Sequence, residues 1–173
     1  KNNAKGGMVV MMDPTTGELR AVASYPSFNP NDRDSIDPSG VRARAATDVM
    51  EPGSTVKPLL LAKALDSGLF DTDDVIHTKG WFMVGRLTVK DFRNYGDVDF
   101  AKILQKSSNV GAAHVGLKMG AEGVWRAYND FGFGDITGSG FPGERFGVLK
   151  DFYEWNNVET ATASYGYGLA VTA

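Results

Sequence analysis

The chain of 173 residues contains no cysteine and only two histidines. The absence of thiols excludes disulfides, thiolate metal sites and a cysteine nucleophile. His77 and His114 are 37 residues apart in the sequence. That separation is not a zinc-ligand spacing, so we expect no zinc site.

The sequence also lacks a strong net charge and long apolar runs. The net charge is −3 at pH 7, so no broad basic field indicates binding to nucleic acid. No apolar run approaches the ~20 residues that span a bilayer, and no signal peptide opens the chain. Because it begins without methionine and ends in mid-pattern, we interpret the chain as a fragment, with an anchor or other domains outside it.

Composition and local patterns predict one globular domain that contains strands and helices. Apolar residues make up 42% and charged residues 23% of the chain, as in an ordinary globular protein. Two apolar, alternating segments joined by turn residues predict an N-terminal β-hairpin, and two short strands flank Gly85. The predicted strands are 6–12, 18–24, 81–84 and 86–89.

Helical patterns account for most of the remaining chain. Apolar spacing predicts one helix with Asp97 as its N-cap, and a pair of helices separated by Gly120. Another helix is expected near the C-terminal end. The predicted ranges are 97–106, 110–119, 121–131 and 157–163.

The most apolar helical pattern follows the stretch Glu51-Pro52-Gly53-Ser54-Thr55-Val56-Lys57-Pro58. Apolar residues leave almost no polar face before Gly68, which is typical of a buried central helix with a glycine after its end. Ser54 lies at or near the N-terminus of this helix. Lys57 follows one turn later, so the two side chains share a face.

A serine and a lysine in this arrangement indicate nucleophilic chemistry. A serine hydroxyl needs a base to remove its proton, and burial lowers the pKa of a lysine toward the range where it can act as one. The free N–H groups of a helix N-terminus suit a developing oxyanion. We therefore predict Ser54 as a nucleophile and Lys57 as its base.

The Ser-x-x-Lys pair also has an ordinary structural interpretation. With 10 serines and 10 lysines in the chain, chance alone gives roughly 0.6 such pairs, so the motif is weak by itself. Ser54 would then be a simple N-cap, and Lys57 would extend its amine to the surface.

A second polar cluster, Ser107-Ser108-Asn109, separates two predicted helices. Side chains at such a junction can project into a cleft. Ser107 is a candidate to relay a proton between Lys57 and a leaving amine, and Asn109 is a candidate to donate to a substrate carbonyl. The alternative is capping of the next helix by Ser107 or Ser108.

Ser-x-x-Lys at the start of a buried helix, followed by Ser-x-Asn 53 residues later, is the order found in serine β-lactamases and penicillin-binding proteins. The stretch 51–58 resembles the nucleophile motif of class B penicillin-binding proteins, and 105–111 resembles their second motif. Further likenesses occur at 13–18, 140–144 and 164–169. The chain is most similar to the division-specific penicillin-binding protein 3 group of Gram-negative bacteria. The third motif of the family, Lys-Thr-Gly, does not occur here.

This resemblance implies an α/β (α+β) transpeptidase fold with a mainly antiparallel sheet flanked by helices. Residues 1–173 would be its N-terminal and central part, with the membrane anchor, a pedestal domain and the third motif outside the chain. The implied reaction is D,D-transpeptidation of peptidoglycan stem peptides without metal or organic cofactor. The catalytic residues would be Ser54 as nucleophile, Lys57 as base and Ser107 as proton donor. Asn109 would help to hold the acyl chain and to orient Lys57.

The resemblance also implies partners and a location. The partners are stem peptides, lipid-linked precursors, β-lactam antibiotics and septal division proteins. The location is the periplasmic face of the inner membrane, reached through an anchor outside this chain.

Two alternative functions stay open. One is a β-lactamase or D,D-carboxypeptidase, for which Glu144 is the acid to suspect, although a loop-holding role suits it better. The other is a non-catalytic penicillin-sensing or partner-binding domain.

Overall fold

The computed structural model describes residues 3–32, 34, 36–38 and 40–173. These residues form two compact units. The first contains the described residues of 1–50 together with 135–147 and 171–173, and the second contains 51–134 and 148–170. Across the described ranges, none of the helices combines the length and the apolar character that membrane crossing requires.

The first unit is built on the predicted N-terminal β-hairpin, which is confirmed. Strands β1, Gly7–Met12, and β2, Leu19–Tyr25, pair in antiparallel register with Gly7 opposite Tyr25. The Asp13 carboxylate holds the turn, since it accepts hydrogen bonds from the backbone N–H groups of Thr15 and Thr16 at 2.9 and 3.2 Å. A short helix, α1, spans Arg44–Thr47.

Glu144 lies in the loop part of the first unit and stabilises that loop. Its carboxylate accepts hydrogen bonds from the backbone N–H of Thr137, at 2.8 Å, and from the Thr137 hydroxyl. These bonds lower the pKa of Glu144. The loop-holding role that the sequence favoured for Glu144 agrees with these contacts.

The second unit contains four helices, a second antiparallel hairpin and two 3₁₀ turns among its described residues. The hairpin pairs Trp81 with Lys90 and Val84 with Leu87, and confirms the two strands that flank Gly85. In chain order the elements are a 3₁₀ turn Gly53–Val56, α2 Lys57–Asp66, β3 Trp81–Val84, β4 Leu87–Lys90, α3 Phe100–Lys106, α4 Asn109–Asn129, a 3₁₀ turn Phe152–Glu154 and α5 Asn157–Ala163.

The core of the second unit forms where α2 packs on α4 and α4 packs on α5. Tyr128 joins the last two helices, because its buried hydroxyl donates to the Ala163 carbonyl at 2.6 Å. Small side chains on α4 allow the neighbouring helices to approach closely. Side chains with no exposed surface include Leu60, Ala64, Ile103, Val110, Ala112, Ala113, Val115, Val124, Ala127 and Ala161.

The N-cap of α3 differs from the sequence prediction. Asp99, not Asp97, accepts the capping hydrogen bond, from the backbone N–H of Lys102 at 2.6 Å. The reason is a long-range backbone pairing, in which Val98 and Ile76 exchange two hydrogen bonds and keep the chain extended up to that point. Asp97 instead pairs with the exposed His77 at 2.9 Å.

The predicted break at Gly120 is confirmed. Gly120 adopts a non-helical conformation with φ 76° and ψ 171°, so α4 bends there although its hydrogen-bonded turns continue on both sides. A positive φ is accessible to glycine at little cost. The first half of α4 begins with Asn109 of the Ser-x-Asn motif. The second half, after the bend, places Tyr128 in the core.

Gly166 fixes the backbone immediately before Ser54. It adopts a φ of +89°, and its carbonyl accepts a hydrogen bond from the Gly53 N–H at 3.0 Å. A Cβ atom on Gly166 would lie 2.0 Å from the Gly53 carbonyl oxygen. Only a residue without a side chain permits this approach, so the two glycines together position the 3₁₀ turn.

We predict that Gly166→Ala lowers the free energy of unfolding by roughly 2–4 kcal/mol. An alanine at this position would be strained by the positive φ, and its Cβ would clash with the backbone of Gly53. Gly168→Ala is the matched control. Gly168 also has a positive φ, of +78°, but the nearest atom to its added Cβ is 3.9 Å away. Urea unfolding of both variants measures the difference, and equal costs would contradict the close-approach argument.

Candidate active site

Ser54 lies in the 3₁₀ turn that precedes α2, one turn before the residue that begins the α-helix. Pro58 explains this local geometry. It has no N–H to donate to the Ser54 carbonyl in the α-helical pattern, and the Lys57 N–H donates to that carbonyl instead. Pro58 is therefore well placed in the first helical turn, where a missing N–H costs little.

The Lys57 side chain is the centre of the site. It is 1% exposed, and its amine meets three oxygen atoms of the α3–α4 junction. Nζ donates to the Ser107 carbonyl at 2.5 Å, to the Asn109 Oδ1 at 2.8 Å and to the Ser107 Oγ at 3.1 Å. The structure thus brings together three of the four predicted catalytic residues, since Lys57 meets Ser107 and Asn109, which lie 50 and 52 residues further along the chain.

Burial changes the chemistry of this amine. It lowers the pKa of Lys57 from 10.5 to about 8, and the negative charge of Asp91 opposes part of that shift. A charged ammonium group has one hydrogen for each of its three acceptors. A neutral amine has two hydrogens and a lone pair, and the Ser107 hydroxyl can then donate to that lone pair. The geometry accommodates both protonation states.

The conformation of Ser107 makes these contacts possible. Ser107 ends α3 in the left-handed region, with φ 52° and ψ 42°, which costs a residue with a side chain roughly 1–2 kcal/mol. This turn directs both the carbonyl and the hydroxyl of Ser107 toward Lys57. Strain of this kind is often found at functional sites.

Ser108 caps α4, which agrees with the capping alternative in the sequence analysis. Its Oγ accepts a hydrogen bond from the Gly111 N–H at 2.8 Å, and the side chain is fully buried. Ser107 and Asn109, on either side of it, instead hold the lysine. The capping interpretation therefore applies to Ser108, while Ser107 and Asn109 contact the lysine that is predicted to be the base.

The Ser54 side chain is exposed. Among the residues that the structure describes, its hydroxyl makes no hydrogen bond, so it is the one predicted catalytic group that is not hydrogen-bonded to the Lys57 amine. Hydrogen bonds of a catalytic base often tighten only in the complex with substrate. Thr55 stabilises the turn around Ser54, since its hydroxyl donates to the Pro52 carbonyl at 2.8 Å.

An open cavity of about 390 Å³ lies beside Asn109. One side is formed by strand β4 and the other by the end of α5 and the segment that follows it. Tyr165 is buried and Tyr167 is half exposed, and their rings meet edge to face. The lining residues are Thr88, Val89, Lys90, Asn109, Thr162, Tyr165 and Tyr167.

Sequence reasoning missed Asp91, which directly follows β4. Its carboxylate accepts hydrogen bonds from Ser108, Asn109 and Val110, and its charge acts on Lys57. An aspartate after a strand has no distinctive local pattern. The one available signal was its position at the end of a predicted strand that precedes the Ser-x-Asn motif.

Comparison with protein-family models identifies the class of this fold and site. Residues 7–173 match the penicillin-binding protein transpeptidase domain. This match covers nearly the whole chain, and the chain therefore belongs to the penicillin-binding protein transpeptidase family.

Individual relatives agree with this assignment. The chain is 41% identical over 171 residues to the probable peptidoglycan D,D-transpeptidase PenA of Neisseria gonorrhoeae and 40% identical to the peptidoglycan D,D-transpeptidase FtsI of Escherichia coli. Each alignment covers 99% of this chain and 29% of the relative. The chain thus spans less than a third of the length of these curated relatives.

Solved structures confirm the expected fold class. The transpeptidase domain of Burkholderia pseudomallei penicillin-binding protein 3 superposes with a TM-score of 0.82 at 34% identity, over 96% of this chain and 46% of that one. A structure described as a peptidoglycan glycosyltransferase from Burkholderia ambifaria gives a TM-score of 0.86 at 35% identity, over 98% and 50% of the two chains.

The lowered pKa of Lys57 predicts a pH-dependent stability. Between pH 8 and 10.5 the unfolded chain binds more protons than the folded one, so the stability of the wild type rises with pH over this range. At 1.36 kcal/mol per pKa unit the gain approaches roughly 3 kcal/mol. We expect this gain to disappear in Lys57→Met.

The measurement is urea unfolding of the wild type and Lys57→Met across that pH range. Leu61→Ala serves as the control, because Leu61 is buried on the same helix but has no ionisable group. Its stability difference from the wild type should stay constant with pH. If the Lys57→Met difference stays constant too, the amine is not perturbed by burial.

Proposed function

We propose that the protein containing this chain is a serine-type D,D-transpeptidase that cross-links peptidoglycan stem peptides and is a target of β-lactams. The observation that carries the proposal is the contact of the buried Lys57 amine with both Ser107 and Asn109, one turn after Ser54. Membership of the transpeptidase family and 40% identity to a peptidoglycan D,D-transpeptidase support it.

In the proposed acylation step, the Ser54 oxygen attacks the carbonyl between the two terminal D-alanines of a stem peptide. The neutral Lys57 amine accepts the hydroxyl proton as the new C–O bond forms. A pKa of about 8 leaves this amine partly neutral at physiological pH. The lysine is therefore basic enough to take the proton and does not require strongly alkaline conditions.

Collapse of the tetrahedral intermediate breaks the peptide bond and releases the terminal D-alanine. Its amine needs a proton, which the Ser107 hydroxyl supplies and recovers from the Lys57 ammonium 3.1 Å away. An amine of a second stem peptide then attacks the acyl carbonyl and loses a proton to Lys57. The C–O bond to Ser54 breaks, and the Lys57 ammonium returns this proton to the Ser54 oxygen. A β-lactam follows the first step only, because its leaving group stays attached.

Asn109 has two roles in this proposal. Its side-chain oxygen accepts from Lys57, which orients the amine. Its side-chain nitrogen is then free to donate to the carbonyl of the bound acyl chain. The open cavity beside Asn109 provides the space for that chain, with apolar and polar surface from Val89, Thr162 and Tyr167.

The location and the partners of the whole protein are also proposed from the resemblance to this family. We place the whole protein at the periplasmic face of the inner membrane, attached by a segment outside this chain, where it uses lipid-linked precursors and joins septal division proteins. The support is the 40% identity to Escherichia coli FtsI and the likeness to the division-specific group.

The test of the proposed function is the intact mass of the protein after incubation with a penicillin. The experiment uses the natural protein in full length, and this chain alone for comparison. We expect a stable one-to-one adduct in the full-length protein and its loss in Ser54→Ala. A rapidly lost adduct with hydrolysed penicillin would instead indicate a β-lactamase.

Ser67→Ala provides the matched serine control. Ser67 follows α2 at its other end and its hydroxyl donates to the Ala64 carbonyl at 2.7 Å, so its removal should leave the adduct unchanged. If the folded full-length protein forms no adduct, or if Ser54→Ala still forms one, the acyl-transfer proposal is wrong.

A further inference from the structure

The second hairpin, formed by β3 and β4, has one face in the core and one face in solvent. On the inner face Val84 and Val89 are buried, and Phe82 stacks on His114 of α4 with 4.2 Å between the ring centroids. Successive side chains of a strand point to opposite faces. The exposed residues of the outer face are Trp81, Met83, Thr88 and Lys90.

Large apolar side chains lie on this outer face. Trp81 is 56% and Met83 is 59% exposed. The strand register places Trp81 opposite Lys90 and Met83 opposite Thr88. Directly opposed residues of an antiparallel pair have Cβ atoms about 4.5–5.5 Å apart. An indole ring and an ammonium group therefore share one small surface.

The hairpin is basic although the chain as a whole is acidic. Residues 79–93 contain four basic residues and one acid, Asp91, whereas the net charge of the chain is −3. Both oxygens of Asp91 accept hydrogen bonds from the start of α4. Among the residues that the structure describes, the side chains of Lys79, Arg86 and Lys90 form no ion pair and no hydrogen bond. An anionic ligand would meet these three charges without displacing a partner.

The outer face of the hairpin continues into the cavity beside Asn109. Thr88 and Lys90 line that cavity, and the Asn109 side chain is hydrogen-bonded to the Lys57 amine. An acyl chain that is held at Asn109 can therefore extend along β4 toward Trp81. The hairpin is placed to contact the part of the acyl donor that lies beyond the reacting carbonyl.

Basic residues on an exposed strand also prevent its pairing with another chain. That role accounts for the lysines and the arginine but not for the large apolar side chains between them, because exposed apolar groups promote association. A surface that is both aromatic and basic, beside the cavity at Asn109, suits a ligand with apolar surface and negative charge.

We propose that the outer face of the second hairpin binds the acyl chain of an acidic donor stem peptide. Lys90 pairs with a carboxylate of that chain, and Trp81 packs against the chain itself. Arg86 in the turn and Lys79 before β3 add longer-range attraction. The proposal rests on the proposed function, since it specifies the substrate class of the same site. It implies a preference for donors with free carboxylates over donors in which the same groups are amidated.

Two penicillins test this preference in the full-length protein. They share one peptide side chain and differ in a single group near its end, which is a free carboxylate in one and an amide in the other. Both have the same reactive ring, so the ratio of their second-order rate constants of acylation isolates the effect of the charge. Intact mass follows the formation of each adduct with time.

In the wild type we expect the acidic penicillin to react roughly two- to fivefold faster than the amidated one, which is the range that an exposed ion pair supplies. The ratio should fall toward one in Lys90→Gln, invert in Lys90→Glu and be retained in Lys90→Arg. High ionic strength should lower the wild-type ratio, because salt screens exposed charges.

Lys118→Gln is the matched lysine control. Lys118 is an exposed lysine of α4, and its amine lies over the Phe70 ring at 4.0 Å from the centroid. Its removal changes the net charge by the same amount as Lys90→Gln but leaves the hairpin intact. We therefore expect the wild-type ratio in this variant.

The apolar part of the surface has its own test. Trp81→Ala should slow both peptide-bearing penicillins by a similar factor, roughly threefold, relative to benzylpenicillin, which has no peptide chain to pack on the indole. If Trp81→Ala slows all three penicillins equally, the indole does not contact the acyl chain.

The remaining outcomes separate this proposal from the proposed function. If Lys90→Gln and Lys90→Glu keep the wild-type ratio, or if Lys118→Gln changes it as much as Lys90→Gln does, the hairpin does not bind the carboxylate and the proposal is wrong. Adducts that form at equal rates in the wild type overturn it too, but leave the transpeptidase proposal intact. Should none of the penicillins form an adduct, the transpeptidase proposal fails and this surface loses its substrate.

Discussion

The burial of one amine constrains most of the second unit. Lys57 is almost completely removed from water, and burying a charge is costly unless polar groups replace the lost solvent. Three oxygens of the α3–α4 junction provide that replacement. Since those oxygens come from Ser107 and Asn109, the junction must bring both residues to the same point, and the left-handed turn at Ser107 achieves this.

Packing between the helices around Lys57 stabilises the α3–α4 junction. Small residues on α4 allow α2 and α5 to pack closely against it. The close approach of Gly166 to Gly53 positions the 3₁₀ turn that carries Ser54. The position of Ser54 is therefore set by the backbone, and its side chain is exposed. The lysine, in contrast, is held by its side chain.

Local signals in the sequence were sufficient for most of the helices and strands, but not for several contacts between distant segments. Turn residues and periodicity predicted both hairpins, the buried helix after Ser54 and the break at Gly120. The choice of Asp99 over Asp97 as N-cap depended on a backbone pairing with a distant strand segment. Asp91 was missed for the same reason, because its three partners lie 17 to 19 residues further along the chain.

The charge of Asp91 opposes part of the effect of burial on the Lys57 amine. Burial lowers the pKa of the amine, whereas full exposure would keep the amine protonated and unable to accept a proton. A carboxylate in direct contact would hold the proton on the lysine. Asp91 instead acts from the other side of the 107–109 segment, where its oxygens are bound by backbone and hydroxyl groups. Its charge offsets part of the desolvation without occupying the amine, so the contact between the amine and the Ser107 hydroxyl is preserved.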